Sequence, residues 1–361
     1  MSGTSADGID VVLIEDKPLT FLASGFFVFD QQLKSRVLSV IQNKPITACD
    51  MARLDADLGQ AYSDAINQFI KQNQIDTADI EAIGLHGQTV AHLPDYTSPN
   101  SWQLGHPAWV AAQTGIPVMS DFRRADMAYG GQGAPLAPAL HQVLFKQAHK
   151  TIGVLNLGGI ANLTLINEQL SGFDVGPANC LLDEWCFRHT EQEFDHHGQW
   201  GQRGTTHQAL LESMLDDDYF HQPAPKSTGR EYFNQQWLAS YLNDDPIAAV
   251  DVQRTLIELV VQSVQRAVFD SQQTLNQLIV VGGGVHNQFM MSCLQDTMYC
   301  QVVSSDYYGI APDDIEAILM AWLAARHCRN EKTDLSSVTG CRKSHVYGVR
   351  YGISPKPQES L

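Results

Sequence analysis

Hydrophobic positions along the chain alternate between two periods. Ile9 to Ile14 (IDVVLI) is a nearly continuous β-branched run, and Leu22 to Asp30 (LASGFFVFD) follows it; both read as strands. From Met51 to Lys71 the spacing becomes helical, with Leu54, Leu58, Tyr62, Ile66, Phe69 and Ile70 on one face. Ile80 to Leu85 reads as a buried strand before a turn. The second half replays this order. Ile152 to Leu157, a Gly158-Gly159 turn and Ile160 to Ile166 read as a hairpin, and helices are predicted from about Asn179 to His189 and from Asp251 to Phe269. Leu278 to Val281 is a short buried strand ending in Gly282-Gly283-Gly284, and Pro312 precedes an apolar helix that ends near Arg326. Strands alternating with helices predict an α/β fold built from two related units. Each unit has a small-residue turn, GTSADG or GGIAN, feeding a β-branched strand.

Composition narrows the class. A length of 361 residues suits two domains, and 44% hydrophobic with 17% charged residues excludes intrinsic disorder. Acidic residues number 40 against 23 basic ones, a formal net charge of −17 with no basic run, which argues against nucleic acid or an anionic membrane as partner. No apolar run approaches the ~18 residues of a membrane span, and the opening residues lack a signal-peptide pattern. Seven cysteines (Cys49, Cys180, Cys186, Cys293, Cys300, Cys328 and Cys341) are scattered and never spaced C-x-x-C, so they read as reduced thiols of a cytoplasmic protein. The 13 histidines show no metal-ligand spacing.

Several loops can carry chemistry. In Ser2 to Asp10, Gly3 and Gly8 allow close backbone approach, Ser2, Thr4 and Ser5 supply hydroxyls, and Asp7 and Asp10 can hold a magnesium-bound water beside a phosphate. A tail of ordinary turn residues is the other reading of that stretch. Gly158-Gly159 and Gly282 to Gly284 each follow a predicted strand, where backbone N–H groups suit phosphate, although either one alone also fits a plain structural turn. Neither GxxxxGK[ST] nor GxGxxG is present. Asp174, in GFDVGPAN, stands on a turn where a carboxylate can act as general base or cap the following helix, with Asn179 as a second capping candidate. His86 and Gln88 lie just past a strand and suit hydroxyl and amide recognition on a sugar, a structural hydrogen bond being the alternative for His86. Arg123 and Arg124 suit a carboxylate or phosphate, or a surface ion pair with Asp121 or Asp126. Lys226 to Glu231 (KSTGRE) is a second cationic loop.

Taken together, MSGTSADGID, GLHGQTV, DFRRADMAYGGQGAPLAPALHQ, VLNLGGIANL, GFDVGPANCLLDEW, PAPKSTGREYFN, VVGGGVHN and SVTG resemble the 1,6-anhydro-N-acetylmuramic acid kinase family, in matching order to about residue 340. The resemblance implies two RNase-H-like lobes around a central cleft, of the actin/hexokinase type. Residues 1–128 would form the first lobe, with 342–361 as its candidate completing segment, and 129–341 the second. It implies a kinase that uses ATP and Mg2+ to hydrolyse the 1,6-anhydro bond of a small amino sugar and phosphorylate O6, giving N-acetylmuramic acid 6-phosphate. Asp174 would be the base that activates water. Gly3, Thr4, Ser5, Ala6, Asp7, Gly8, Ile9 and Asp10 would hold the ATP phosphates with Gly158, Gly159, Gly283 and Gly284, Asp7 being the magnesium candidate through water. His86, Gln88, Arg123, Arg124 and Glu316 would meet the sugar, the arginines facing its lactyl carboxylate. A homodimer is a family expectation. The family has Gly where Ala178 stands, and some relatives carry a third arginine at Ala125. The family also places a strand before MSGTS, so Met1 is expected to be an internal methionine of a longer natural chain. Two alternatives stand beside this reading: a conventional hexosamine kinase of the same superfamily, and a catalytically silent sugar or nucleotide sensor.

Overall fold

The computed structural model of the protein describes residues 1–3, 6–242 and 247–352. Its strands follow the apolar runs. β1 (Gly8–Asp16), β2 (Leu19–Val28), β3 (Ile83–Gly84), β4 (Gln88–Leu93), β5 (Asn100–Leu104) and β6 (Val118–Ser120) come first. β7 (Ile152–Leu157), β8 (Ile160–Ile166), β9 (Leu170–Pro177), β10 (Gln277–Val281) and β11 (Gln301–Ser304) follow, and β12 (Val349–Tyr351) comes last. The chain divides into unit 1, Met1–Leu140 with Glu316–Leu361, and unit 2, His141–Ile315.

Unit 2 is built on one five-stranded sheet ordered β11-β10-β7-β8-β9. β7, β10 and β11 run parallel, and β8 is antiparallel to both its neighbours, the RNase-H-like arrangement. The helical spacing expected for Asp251 to Phe269 is met by a helix over Ala249–Asp270. Its Val252, Leu256, Val260 and Val264 pack in one core with Leu155, Leu163 and Val280 of the sheet. Full burial of each such side chain is worth roughly 1.5–3 kcal/mol, so this face holds the helix to the sheet more firmly than helix propensity does.

Unit 1 repeats the pieces without joining them. β1 and β2 pair antiparallel, β12-β6-β3 form a second sheet, and β4-β5 a third. Among the described residues no ladder links the β1–β2 pair to β3, whereas in unit 2 β7 lies between the corresponding strands. The Ala48–Gln72 helix covers this side, burying Leu54, Leu58, Tyr62 and Ile66 with Ile9, Leu85, Leu104 and Val118. β3 is shorter than the apolar run Ile80 to Leu85, because only Ile83 and Gly84 meet β6 in register. Gly84 is also pressed against the Ile315–Cys328 helix, where a Cβ would collide with the Met320 carbonyl.

The passages between units fall at 140/141 and 315/316, whereas the expected ones lie at 128/129 and 341/342. Asp126 explains the difference. Its fully buried carboxylate accepts from Gly133 N (2.8 Å), Thr339 Oγ1 (2.8 Å) and Tyr347 OH (2.7 Å), tying residues 126–133 and 339–347 into unit 1. Gln132 N to Thr339 O (2.9 Å) and Arg342 N to Tyr129 O (2.9 Å) reinforce the tie. Of the segment 342–361 expected to complete this unit, β12 pairs with β6, and 353–361 lie outside the described residues. Asp126→Ala takes the acceptor from Gly133 N and Tyr347 OH, while Thr339 Oγ1 keeps Leu335 O (3.2 Å), so urea unfolding of the variant is expected to show a loss of about 2 kcal/mol or more, concentrated in unit 1.

Candidate functional site

In unit 2 the chemistry gathers at one end of the sheet. Three polar side chains lie in cross-strand register, Asn156 on β7 opposite Asn162 on β8, and Asn162 opposite Asp174 on β9. A register shift between Ala161 and Asn162 turns Asp174 toward Asn162, a bulge re-aiming a side chain. Asn162 Nδ2 donates to Asp174 Oδ1 at 2.7 Å. From the other side the loop after Pro225 closes over the carboxylate: Ser227 Oγ (3.0 Å) and Thr228 N (2.9 Å) both donate to Oδ2. Asp174 N donates to Lys226 O (3.0 Å), and Tyr219 OH to Asp174 O (2.8 Å), so backbone and side chain are both fixed. Burial raises the Asp174 carboxyl above the usual carboxylate range, against the lowering effect of those three donors, and the Glu231 charge adds to the rise. A carboxylate held as an ion yet raised in basicity is suited to take a proton from water.

The glycine turns lie beside it. β7 ends at Gly158-Gly159 and the parallel β10 at Gly282, at the carboxyl ends of adjacent strands, where α/β sheets take their ligands. A Cβ on Gly284 would strike the Leu157 side chain, so glycine there lets the two turns touch, while Gly283 has nothing within 4 Å and faces open space. Asn179 is the first residue of the Asn179–Thr190 helix, not its capping side chain: its Nδ2 donates back to Leu157 O (2.9 Å), and its N–H donates to Gly158 O (3.1 Å).

Unit 1 holds the other expected residues. His86 is buried; Arg123 Nε donates to its Nε2 (2.9 Å), which leaves the proton on Nδ1, donating to Gly87 O (2.8 Å). Burial and the Arg123 charge keep the imidazole pKa well below its usual value, so His86 is neutral. Both ring nitrogens are used, and His86 therefore acts as a clamp on Arg123. Arg123 Nη1 donates to Gly133 O (3.0 Å), and the Glu316 charge lies close enough to favour the guanidinium. Arg124 points elsewhere, to Ser101 O (3.0 Å) and Asp121 (2.9 Å). Gln88 is fully buried, donates to Gly3 O (3.1 Å), and among the described residues its Oε1 has no partner.

The opening loop is divided in its roles. Thr4 and Ser5 lie outside the described residues. Ala6 is buried, Gly8 and Ile9 belong to β1, and Ile9 is core. Asp7 is exposed and paired with Lys34 at 2.7 Å. Sequence reasoning missed Asn162, Ser227 and Thr228. The signal for Asn162 was present, since Asn156, Asn162 and Asp174 interrupt three mostly apolar strands at matching depth. Also missed was Asp217, whose carboxylate gathers Tyr232 OH, Trp237 Nε1, Tyr241 OH and Tyr219 N within 2.9 Å and so anchors both flanks of the 226–231 loop.

Glycine turns at the ends of parallel strands, beside a raised carboxylate fixed by neutral donors, are the equipment of a nucleotide-dependent phosphotransferase acting through a hydroxyl. Comparison with known proteins is specific. The sequence matches the family described as anhydro-N-acetylmuramic acid kinase over residues 1–353. It is 44% identical over 357 residues to the anhydro-N-acetylmuramic acid kinase of Sulfurovum sp. (strain NBC37-1), covering 97% of each chain. It is 41% identical over 362 residues to that of Sulfurimonas denitrificans (strain ATCC 33889 / DSM 1251), covering 97% of this chain and 98% of the relative. Among solved structures, (R)-2-hydroxyglutaryl-CoA dehydratase component A of Acidaminococcus fermentans aligns with a TM-score of 0.46 at 9% identity, over 89% of this chain and 94% of that one. The chain belongs to the anhydro-N-acetylmuramic acid kinase family.

The buried imidazoles set a pH dependence. His86 is held well below its ordinary pKa, and burial lowers His141 to about 3. Below pH ~6.5 the unfolded chain binds protons that the native state refuses, so stability falls as pH drops, by at most about 1.4 kcal/mol per pH unit for each group. Denaturant titrations between pH 6.5 and 5.5 are expected to show that slope, and His141→Gln to flatten it.

Proposed function

We propose that the family's kinase reaction runs in this chain with Asp174 as the base that activates water. Its substrates are 1,6-anhydro-N-acetylmuramic acid, ATP and water. The water oxygen bonds to C1 as the C1–O6 bond breaks, and the water proton passes to the Asp174 carboxylate. The electron pair left on O6 attacks the γ-phosphorus, the bond from that phosphorus to the bridging oxygen breaks, and ADP departs, leaving N-acetylmuramic acid 6-phosphate. The observation that carries this reading is the Asp174 carboxylate. Three neutral donors orient it while burial raises its basicity, and no cation forms an ion pair with it among the described residues.

Within unit 2, Gly158-Gly159 and Gly283-Gly284 are assigned to the nucleotide, supported by their contact and by the open face at Gly283. Within unit 1, Arg123 is assigned to the lactyl carboxylate in preference to Arg124, which is 38% exposed at its side chain and committed to Asp121. Glu316, beside Arg123, and the unpartnered Oε1 of Gln88 are assigned to sugar hydroxyl or amide donors. When bound, Mg2+ would neutralise phosphate charge. Asp7 and Asp10 of the opening loop are the acids assigned to it, through water, Asp7 also pairing with Lys34. Such an ion is ordinarily held by phosphates, water and one or two carboxylates. The same reading makes the chain a cytoplasmic, homodimeric enzyme of cell-wall recycling.

Asp174→Asn is expected to lower kcat roughly 10²- to 10⁴-fold while ATP binding by calorimetry stays near that of the parent. In ¹⁸O-water the parent enzyme should place label on the C1 hydroxyl of the product. Unlabelled product would point instead to a conventional sugar kinase, and loss of both turnover and ATP binding in the variant would make Asp174 structural.

A further inference from the structure

The 226–231 loop does more than hold Asp174. Two residues beyond Thr228, the Arg230 guanidinium lies against the Gly158-Gly159 turn: a Cβ on Gly159 would sit 3.0 Å from both Nε and Nη2. The Gly159 carbonyl is already taken by Ala178 N (3.0 Å) and Cys180 N (3.1 Å), so it does not hold the guanidinium there. Among the described residues Arg230 makes no hydrogen bond and no ion pair within 4.0 Å, although the Glu184 carboxyl feels its charge. Of the other arginines of unit 2, Arg188 is committed to Gln235, Arg254 to Glu258 and Arg266 to Asp270, and Arg203 is exposed. An uncommitted guanidinium at a glycine turn, on the loop that caps the base, is placed for an anion.

We propose that Arg230 is a catalytic residue that binds the transferring phosphoryl group. The proposal rests on reading the Gly158-Gly159 turn as part of the nucleotide site. As the O6–phosphorus bond forms and the bond to the bridging oxygen breaks, charge sits on the non-bridging oxygens of the γ-phosphoryl group. The planar guanidinium fork matches two such oxygens with parallel N–H donors and takes part in neither bond. Because Ser227, Thr228 and Arg230 share one short loop, seating that loop on Asp174 also brings the cation to the turn. Base and phosphoryl clamp are thereby assembled together.

The test uses the full chain as Arg230→Ala, Arg230→Lys and Gly159→Val, with thermal melts to confirm folding. ADP binding and binding of ADP with aluminium fluoride, a mimic of the transferring group, are measured by calorimetry beside kcat. Arg230→Ala is expected to lower kcat by about 10²-fold or more and to abolish the extra affinity for the aluminium fluoride complex, with ADP affinity unchanged. Arg230→Lys should recover only part of kcat, since an ammonium lacks the fork. Gly159→Val should weaken ADP itself. If Gly159→Val binds ADP like the parent, the nucleotide reading of the turn is wrong and the proposal goes with it. If Gly159→Val weakens ADP but Arg230→Ala keeps kcat and aluminium fluoride affinity, the proposal alone is overturned. Equal loss of ADP binding and kcat in Arg230→Ala also overturns it, in favour of a structural role.

Discussion

The Asp174 carboxylate is held between two parts of unit 2 distant in sequence, the β7–β8–β9 ladder and the 226–231 loop, whose Ser227 lies 53 residues from it. Its position depends on sheet register. Slipping β8 by one residue would carry Asn162 to the opposite face and remove the donor to Oδ1. Register in turn depends on the apolar residues that alternate with the polar row, Leu155, Leu163 and Phe173 among them, which are buried in the core. The hydrophobic pattern that folds the sheet is therefore the same pattern that aims the Asp174 carboxylate. The loop completes the arrangement from outside, and Asp217 holds its flanks with three aromatic side chains and one backbone amide.

Unit 1 applies the same solution to a cation. Arg123 is fixed by a neutral imidazole and a carbonyl, His86 and Gly133 O, and Gly133 is itself fixed by Asp126. Pairing Arg123 directly with a buried carboxylate would satisfy it more completely, but would also cancel the charge a substrate anion must find. Neutral acceptors orient a guanidinium without neutralising it. Asp126 gives the mirror image, a buried carboxylate satisfied by an amide and two hydroxyls. The Asp174 carboxylate and the Arg123 guanidinium make their hydrogen bonds to neutral groups, although the Glu316 and Asp126 charges act on Arg123 and the Glu231 charge on Asp174, while ion pairs form at more exposed positions such as Lys17–Glu331 and Arg36–Asp57.

Three strands of unit 2 were legible almost to the residue, because buried strands show as short apolar runs: Ile152 to Leu157 and Ile160 to Ile166 match β7 and β8 end to end, and Leu278 to Val281 lacks only the first residue of β10, whereas β9, where Asp174 was expected on a turn, and β11 went unread. β3 was overestimated for a physical reason. An apolar run records burial, and Ile80 to Leu85 is apolar partly because Gly84 meets a helix, not because the whole run joins a ladder. Asp174, expected on a turn, stands within β9, and Arg123 within the Phe122–Ala128 helix; both stood out in the sequence because charged residues beside apolar runs are few. Ser227 and Thr228 could not be assigned to Asp174, because that contact is made by a loop folding back and has no period in the sequence. The unit boundaries were obscured in the same way: Asp126 reaches Thr339 and Tyr347 across 213 and 221 residues, and no local pattern announces such a bond.

The net charge of −17 sets a last constraint on how such a chain can take a polyanion. At physiological ionic strength the screening length is about 8 Å, so most surface acids exert little force at a site several side chains away. What matters is the charge within contact distance, and there this chain places few ions. In unit 2 the groups around the glycine turns are backbone amides, Asn156, Asn162 and one uncommitted arginine. Backbone donors cost no net charge in the empty state, so the site needs no cluster of lysines that would repel itself before the ligand arrives. The acidic surface then has a use of its own, since it leaves no extended basic face to attract nucleic acid or anionic lipid. An acidic chain with a neutral, donor-lined site can thus discriminate by geometry, admitting an anion whose oxygens reach the amides and a single guanidinium, where a basic cleft would admit anions by charge alone.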